Sequence, residues 1–328
     1  MIATPARRIV LKPQVWTGAA IAVGLAAPNL IWQWAHGWPF FDVILPHLES
    51  QRDYAGNPWQ FEYRQALSMN IVLAPLRLAG AVAPFVIERL RPVRNLAIAF
   101  LLTSAFYCLK HGTNYYLFPV YPTMFVVGAV AVEPLWKWAR WTWMTAAIVV
   151  SAQVDPVVLP LLDPPTLLHY MDFMKIKPRP IEAASVGAPI THSFSDELGW
   201  RDMVKSVSAA FHALPAEDQA KVAIIASNYG EAAALDVYGA VEGLPTPVSG
   251  HNQYWLWGPR GHDGSVVLYV GGNVERWRPL CRSIEVVGTF GGPYVMPYEN
   301  NRSIVLCRGM RRPLDEMWPR MKRSRTVL

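Results

Sequence analysis

A lysine, a histidine and three tyrosines are concentrated at the start of one apolar segment of the chain. They lie in the run CLKHGTNYYLFPVYPTMFVVGAVAVE (108–133) and are Lys110, His111, Tyr115, Tyr116 and Tyr121. Ionisable residues at the edge of a bilayer are costly, and by default they mark functional sites. A point charge beside phenolic donors suits the phosphate of a lipid head group. We therefore predict a lipid-phosphate site here, with simple snorkelling of the lysine as the plain alternative.

A second group of polar and aromatic residues lies at two turns of the C-terminal half. SNYGEA (227–232) joins a predicted strand to a predicted helix, a position where ligands gather in α/β sheets. GLPTPVSGHNQYWLWGPRG (243–261) is a Gly/Pro-rich loop whose aromatic and amide groups suit a sugar, which has apolar faces and hydroxyl edges. The candidate residues for binding an acceptor or a sugar are Asn228, Tyr229, Glu231, His251, Asn252, Trp255 and Arg260.

Each of these turns also has a purely structural interpretation. Asn228 can cap the helix and Glu231 can complement its dipole, while the two tryptophans of the loop can fill a core or lie at a membrane interface. His251, His262 and Asp263 lack any recognised metal-ligand spacing, so we predict no metal site.

The composition indicates a membrane protein. Of the 328 residues, 52% are hydrophobic and 16% are charged, whereas soluble domains carry about a quarter charged residues. A spanning helix needs about 20 predominantly apolar residues. The sequence predicts about five spans, at 17–35, 66–87, 95–110, 115–133 and 138–156.

Basic residues fall on alternate junctions between these spans. Arg7, Arg8 and Lys12 precede the first span, ERLRPVR (88–94) joins the second to the third, and EPLWKWAR (133–140) joins the fourth to the fifth. The positive-inside rule places these junctions in the cytoplasm. We therefore expect a multi-pass protein of the inner or plasma membrane, with a cytoplasmic N-terminus and an extracytoplasmic C-terminal domain.

The predicted fold is a multi-pass α-helical membrane region followed by an extracytoplasmic α/β domain. The membrane region covers 1–162, a proline-rich linker covers 163–195, and the α/β domain covers 196–328. Short apolar strands alternate with helical segments in the last region, which favours an at least partly parallel sheet. Cys281 and Cys307 flank strand-like segments there, and the sequence leaves open whether they form a disulfide.

Several stretches, taken in order, resemble the motifs of one known family. APNLIWQWAHGWPFFDVI resembles P-N-L-x-W-Q-x-x-x-G-W-P. QALSMNIVLAPLRLAGAV resembles M-N-P-x-x-x-P-x-W-x-x-G-L, with Ile71 and Arg77 in place of the usual Pro and Trp. LKHGTNYYLFPVYPTMFVVGAVAVE resembles K-G-x-x-Y-Y-L-x-P-x-Y-P-x-L-x-A-x-G-A. SNYGEAAALDVYG and SGHNQYWLWGPRG look like parts of the outward domain of the same proteins. These are the bacterial membrane glycosyltransferases of family 39, in the superfamily of protein O-mannosyltransferases and lipid A aminoarabinose transferases.

The resemblance implies inverting transfer of a sugar from a polyprenyl-phosphate carrier to an acceptor outside the cytoplasm. Lys110, Tyr115, Tyr116 and Tyr121 would map onto contacts with the carrier phosphate, and the outward domain would help to choose the acceptor. The implied partners are membrane lipid, the polyprenyl-phosphate-linked sugar and a glycan, lipid or protein acceptor, with no nucleic acid. The carrier lipid is a donor substrate, and no cofactor is implied.

One feature of the family has no counterpart in the sequence. Its members carry an Asp or Asp-Glu motif in their first outward loop, and a carboxylate there acts as general base toward the acceptor. The first predicted outward loop here is 36–65, and its Asp42, Glu49, Asp53 and Glu62 do not match that motif. We therefore expect this chain to correspond to the C-terminal part of such an enzyme, with the catalytic half missing or supplied by a separate N-terminal half.

Two other function classes stay open on the sequence. One is a non-catalytic, membrane-anchored module whose outward domain binds a glycan or a protein. The other is a small transporter, which the lack of repeat symmetry and the few interior charges disfavour.

Overall fold

The computed structural model describes residues 12–50, 57–110, 112, 114–134, 137–178 and 186–323. The chain divides into two compact units. The first comprises Met1–Trp38 and His47–Leu161, and the second comprises Pro39–Pro46 and Leu162–Leu328.

The N-terminal part of the described chain is helical. Its α-helices are α1 (Pro13–Ala35), α2 (Pro39–Ser50), α3 (Pro58–Ser68), α4 (Ala74–Val86), α5 (Arg94–Leu109), α6 (Tyr121–Val132) and α7 (Lys137–Val158). Three 3₁₀ segments, Ile71–Leu73, Glu88–Val93 and Asn114–Val120, lead directly into α4, α5 and α6.

Among the described residues, three helical segments are long and apolar enough to cross a membrane. They are Pro13–Ala35, Glu88–Leu109 and Tyr115–Val132. Pro58–Ser68 and Ile71–Val86 meet the same requirement together, but the pair is bent by 109° at its break. Within the described residues the structure thus has three candidate spans, or four if the bent pair is one span, where the sequence predicts about five. The predicted span 138–156 forms α7 but does not meet this requirement.

The predicted second span, 66–87, is interrupted at Asn70. This residue has a positive φ of 75°, a conformation that ends a helix and that Asn tolerates better than most residues. Its side-chain oxygen accepts from the Val72 N–H at 3.0 Å. Its amide nitrogen donates to the Ala147 carbonyl and to the Ser151 hydroxyl of α7, each at 2.9 Å. Asn70 therefore starts a new helix where hydropathy alone suggested a continuous one.

Helices α4 and α6 pack with their backbones in close contact at two glycines. A Cβ added at Gly80 would lie 2.0 Å from the Met124 carbonyl oxygen, and one at Gly128 would lie 2.0 Å from that of Leu76. Small residues allow this approach between helices in apolar surroundings.

The second unit is an α/β structure around one sheet. Its helices are α8 (Pro164–Phe173), α9 (His192–Ser195), α10 (Trp200–His212), α11 (Ala216–Gln219), α12 (Tyr229–Tyr238), α13 (Val274–Trp277) and α14 (Leu314–Met317). Its strands are β1 (Val222–Ala226), β2 (Val248–Ser249), β3 (Val266–Val270), β4 (Cys281–Phe290) and β5 (Arg302–Met310). Helix α8 lies inside the segment that the sequence predicts as linker.

The sheet is mixed, as the partly parallel prediction requires. The strand order is β2-β1-β3-β5-β4. β1 runs parallel to β2 and β3, whereas β5 is antiparallel to β3 and β4. Every residue of β1 and β3 is buried, because each face of the sheet is covered by a hydrophobic cluster, as expected for parallel strands. Cys281 and Cys307 form a disulfide between β4 and β5.

Candidate functional site

Lys110 and a group of tyrosines meet at the C-terminal end of α5. Lys110 is exposed and caps the helix, its N–H donating to the Phe106 carbonyl at 2.9 Å. The ring of Tyr107, in the last turn, lies 5.2 Å from that of Tyr116, which lies 5.0 Å from that of Tyr115. The Gly112 N–H donates to the Tyr107 carbonyl at 2.8 Å and turns the chain back toward the helix. We call Tyr107, Lys110, Tyr115 and Tyr116 the α5-end cluster.

The predicted lipid-phosphate residues do not all belong to this cluster. Tyr121 is 4% exposed and packs in the interior of the first unit with Phe61 and Phe100, so it is not one of the exposed residues of this cluster. Its position as the first residue of α6 turns it inward. His111 lies outside the described residues. Tyr107 was missed, although its three-residue spacing from Lys110 puts both on one helical face.

A buried arginine next to Tyr121 forms an ion pair with the partly exposed Glu62. Arg77 is 3% exposed and its guanidinium donates to Glu62 at 2.5 Å, while the Ser104 hydroxyl donates to the other Glu62 oxygen at 3.2 Å. The guanidinium carbon lies 5.8 Å from the Phe100 ring centre and 6.0 Å from that of Tyr121. Arg77, which replaces the usual Trp of the motif that the sequence resembles, is thus paired with a carboxylate and lies near two aromatic rings.

The carboxylates of the first predicted outward loop are engaged where the structure describes them. Glu62 pairs with Arg77 as above, and within the second unit Asp42 pairs with Lys322 at 2.7 Å. The side chains of Glu49 and Asp53 lie outside the described part of the chain. Neither Asp42 nor Glu62 is therefore a free general base.

In the second unit, Asn228 and Glu231 form a capping box at the start of α12. The Asn228 side-chain oxygen accepts from the Glu231 N–H at 2.9 Å, and Glu231 accepts from the N–H groups of Ser227 at 2.7 Å and Asn228 at 3.2 Å. This is the structural role considered above, in which the two residues satisfy the free donors of a helix start. Burial raises the pKa of Glu231 to about 7 although these hydrogen bonds lower it.

A second buried carboxyl group lies beside the first. Glu299 is 6% exposed and accepts from the Asn228 amide at 3.4 Å. Burial, with Glu231 and Asp196 nearby, raises the pKa of Glu299 to about 8. Glu299 was missed because it lies in the distant segment PYEN, where nothing in the pattern of residues indicates burial.

His251 joins the same group from the loop after β2. It is 2% exposed, and its Nδ1 accepts from the Tyr229 N–H at 3.3 Å, with the two rings 5.1 Å apart. Burial and the charge of Arg323 lower the pKa of His251 to about 4, so the ring is neutral at pH 7. The structure thus brings Asn228, Tyr229, Glu231 and His251 together.

The remaining three predicted residues have other contacts. The Trp255 indole donates to the Trp318 carbonyl at 2.9 Å, and the Trp318 indole donates back to the Trp255 carbonyl at 2.8 Å. Trp255 is therefore fixed in packing, the structural alternative for this loop. The guanidinium of Arg260 lies 5.6 Å from the Trp257 ring centre, and the Asn252 N–H donates to the Arg323 carbonyl at 2.8 Å.

A polar cavity of about 100 Å³ opens at the carboxyl ends of β1 and β3. We call it the strand-end cavity; its lining residues are Ser227, Asn228, Tyr269, Gly271, Gly272, Asn273, Arg276, Tyr298, Arg302 and Arg323. This volume is several times the roughly 10–15 Å³ that one water needs. The cavity therefore has room for a small polar group.

Comparison with known protein families, with curated proteins and with solved structures finds no match to this chain. Within the described ranges, no group of three or more His, Cys, Asp or Glu side chains is arranged to hold a metal ion. The function is therefore argued from the sites themselves.

Proposed function

We propose that this protein is a membrane glycosyltransferase-like protein that binds a polyprenyl-phosphate-linked sugar through the α5-end cluster, for transfer to an acceptor outside the cytoplasm. The observation that carries the proposal is the position of exposed Lys110 as the cap of the helix end at which the rings of Tyr107, Tyr116 and Tyr115 follow one another. The ammonium group supplies charge for the phosphate, and phenolic hydroxyls donate further hydrogen bonds.

Two features support the proposed location and orientation. The apolar helices are long enough to span a bilayer, and the basic junctions of the sequence favour a cytoplasmic N-terminus. The disulfide between Cys281 and Cys307 supports an extracytoplasmic second unit, since disulfides persist mainly in oxidising compartments.

The role proposed for this chain is recognition of the carrier and of the acceptor. Inverting transfer needs a carboxylate that accepts the proton of the acceptor hydroxyl. Asp42 and Glu62 are engaged in ion pairs, so we assign neither as that base. A separate N-terminal half would supply the carboxylate.

A second candidate is a non-catalytic, membrane-anchored module that binds a glycan or a protein. The observation that favours it is the strand-end cavity, a polar site that lies wholly within the second unit. This candidate needs no catalytic base and no carrier lipid.

Binding of polyprenyl phosphate by the full chain in nanodiscs tests the first proposal. We expect Lys110→Ala to weaken binding about tenfold or more, because a charge-assisted hydrogen bond is lost, and we expect Lys110→Arg to retain much of it. Lys137→Ala, which removes an exposed lysine at the start of α7, is the matched control and should bind normally. Unchanged binding in Lys110→Ala, or an equal loss in Lys137→Ala, would overturn the proposed carrier site.

A further inference from the structure

Three arginines from separate segments of the second unit line the strand-end cavity. Arg276 belongs to α13, Arg302 begins β5, and Arg323 follows the last described helix of the chain. Ligands of open α/β sheets bind at the carboxyl ends of the parallel strands, and β1 and β3 are neighbouring parallel strands that end here. The cavity therefore combines a site typical of ligands with concentrated positive charge.

The positive charge of these arginines is only partly balanced, since Arg302 acts electrostatically on the buried carboxyl group of Glu231. Arg302 Nε donates to the Tyr298 carbonyl and Arg323 donates to the Ser227 carbonyl. The Arg276 guanidinium has no hydrogen-bond partner within the described ranges, and among them none of the three forms an ion pair with a carboxylate. Arginine side chains grouped without acidic partners are typical of binding sites for oxyanions.

The neighbouring backbone donors are already used. The N–H groups of Ser227, Asn228, Tyr229 and Glu231 donate to side chains of Glu231, His251 and Asn228. An anion in the cavity would therefore be held by guanidinium groups rather than by the start of α12.

The walls of the cavity are fixed by close packing. At Gly271, where φ is 79°, an added Cβ would lie 1.7 Å from a Glu231 carboxyl oxygen. At Gly272 an added Cβ would lie 1.5 Å from the Tyr269 ring. Arg323 is held by backbone hydrogen bonds in both directions, its N–H to the Gly250 carbonyl and its carbonyl from the Asn252 N–H, each at 2.8 Å.

We propose that the strand-end cavity binds a phosphate group, carried either by a soluble ligand or by a lipid head group. Three cations surround a volume of about 100 Å³. A phosphate offers enough oxygens to accept from all three guanidinium groups, whereas a carboxylate has two oxygens. This site is separate from the α5-end cluster and does not depend on glycosyl transfer.

Calorimetric titration of the full chain in detergent with phenyl phosphate tests the soluble source. We expect saturable binding that Arg276→Ala weakens about tenfold or more, because one charge-assisted contact is lost. Arg276 is exposed and lacks a side-chain partner, so its removal leaves the packing intact. Arg278→Ala is the matched control, because Arg278 lies two residues away, outside the lining, and pairs with Glu275. A loss of binding in Arg276→Ala, whose Lys110 is intact, separates this site from the carrier site.

A second arm of the experiment tests the lipid source. Wild type and the Arg278→Ala control are placed in phosphatidylcholine nanodiscs with and without phosphatidic acid, and the protection of Arg276 from phenylglyoxal is measured. Protection by phosphatidic acid in the absence of soluble phosphate assigns a lipid head group, and protection by phenyl phosphate alone assigns a soluble ligand. Equal affinity of wild type and Arg276→Ala for phenyl phosphate, together with no lipid-dependent protection, would overturn the proposal.

Discussion

Glu299 and Glu231 place two carboxyl groups in the interior of the second unit. Glu299 faces Asn228, Tyr298, Asp196 and Glu231, and no cation is among these neighbours. Burial therefore favours the neutral, protonated form of Glu299. A protonated carboxyl group can still accept the hydrogen bond from the Asn228 amide.

This environment predicts that the second unit loses stability as the pH rises. The pKa of Glu299 is about 8 in the folded chain against an ordinary value of 4.5. Between these values the folded state keeps a proton that the unfolded state releases, so stability falls by about 1.4 kcal/mol per pH unit for each such proton. Glu299→Gln, a neutral mimic, should remove its share of this slope. Urea unfolding of the full chain in detergent, read by proteolysis of the second unit at pH 5 and pH 8, measures it; equal slopes in wild type and variant would contradict the assignment.

The Arg77–Glu62 pair makes a second prediction at the level of single residues. Glu62→Ala leaves the buried Arg77 without its carboxylate and should lower stability. Because the Glu62 side chain is 42% exposed, the loss should be smaller than the about 3–5 kcal/mol of a fully buried pair. The double variant Arg77→Met, Glu62→Gln removes both charges and should regain much of that loss. Thermal unfolding in detergent compares them. A double variant no more stable than Glu62→Ala would show that the unpaired buried charge of Arg77 is not the cause of the loss.

At the level of elements, the surroundings of three helical glycines predict that the same Gly→Ala substitution has opposite effects on stability. Gly80 and Gly128 lie against carbonyl groups of the partner helix, whereas nothing lies within 4 Å of a Cβ added at Gly24 in α1. Gly→Ala at Gly24 should be neutral or stabilising by up to about 1 kcal/mol, because alanine favours helix. The same change at Gly80 or Gly128 must separate α4 from α6 and should lower the melting temperature. A stabilising effect at all three would contradict the close packing.

The elements also show which parts of the fold can be predicted from the sequence. β1, β3, β4 and β5 coincide with apolar runs bounded by turn residues, and local pattern is sufficient to predict such strands. The break at Asn70 was missed because hydropathy continues across it and one left-handed residue leaves no periodic signal. The sequence predicts Tyr121 as part of the phosphate site, together with its neighbours in the sequence. In the structure Tyr121 begins α6 and lies in the interior of the first unit.

The strand-end cavity escaped prediction for a different reason. Of its lining, the turn 227–228 was recognised, since it follows a strand and begins a helix. Its arginines come from 276, 302 and 323, and no spacing in the sequence relates them. Their proximity depends on the sheet order, in which β5 lies beside β3.

At the scale of the whole molecule, the disulfide makes the stability of the second unit depend on whether its compartment is oxidising. Cys281 and Cys307 are separated by 26 residues, and a bridge closing a loop of this size stabilises by about 3 kcal/mol. Cys281→Ser, or chemical reduction, should lower the stability of the second unit by about that amount. Alkylation of protein from intact bacterial cells, compared with and without reductant, reports the bridge. Two alkylated thiols at these positions without reductant would contradict an oxidised, exported second unit.

The proposed transfer requires the second unit to lie outside the cytoplasm, since the lipid-linked donor and the acceptor are proposed to meet there. Labelling of single cysteines by a membrane-impermeant maleimide in intact cells, in a Cys108→Ser background, tests this most directly. Val241 of the second unit is 90% exposed, and Lys137 lies in a predicted cytoplasmic junction. We predict that Val241→Cys is labelled in intact cells and that Lys137→Cys is labelled only after the cells are permeabilised. The reverse pattern would contradict the proposed orientation and, with it, transfer outside the cytoplasm.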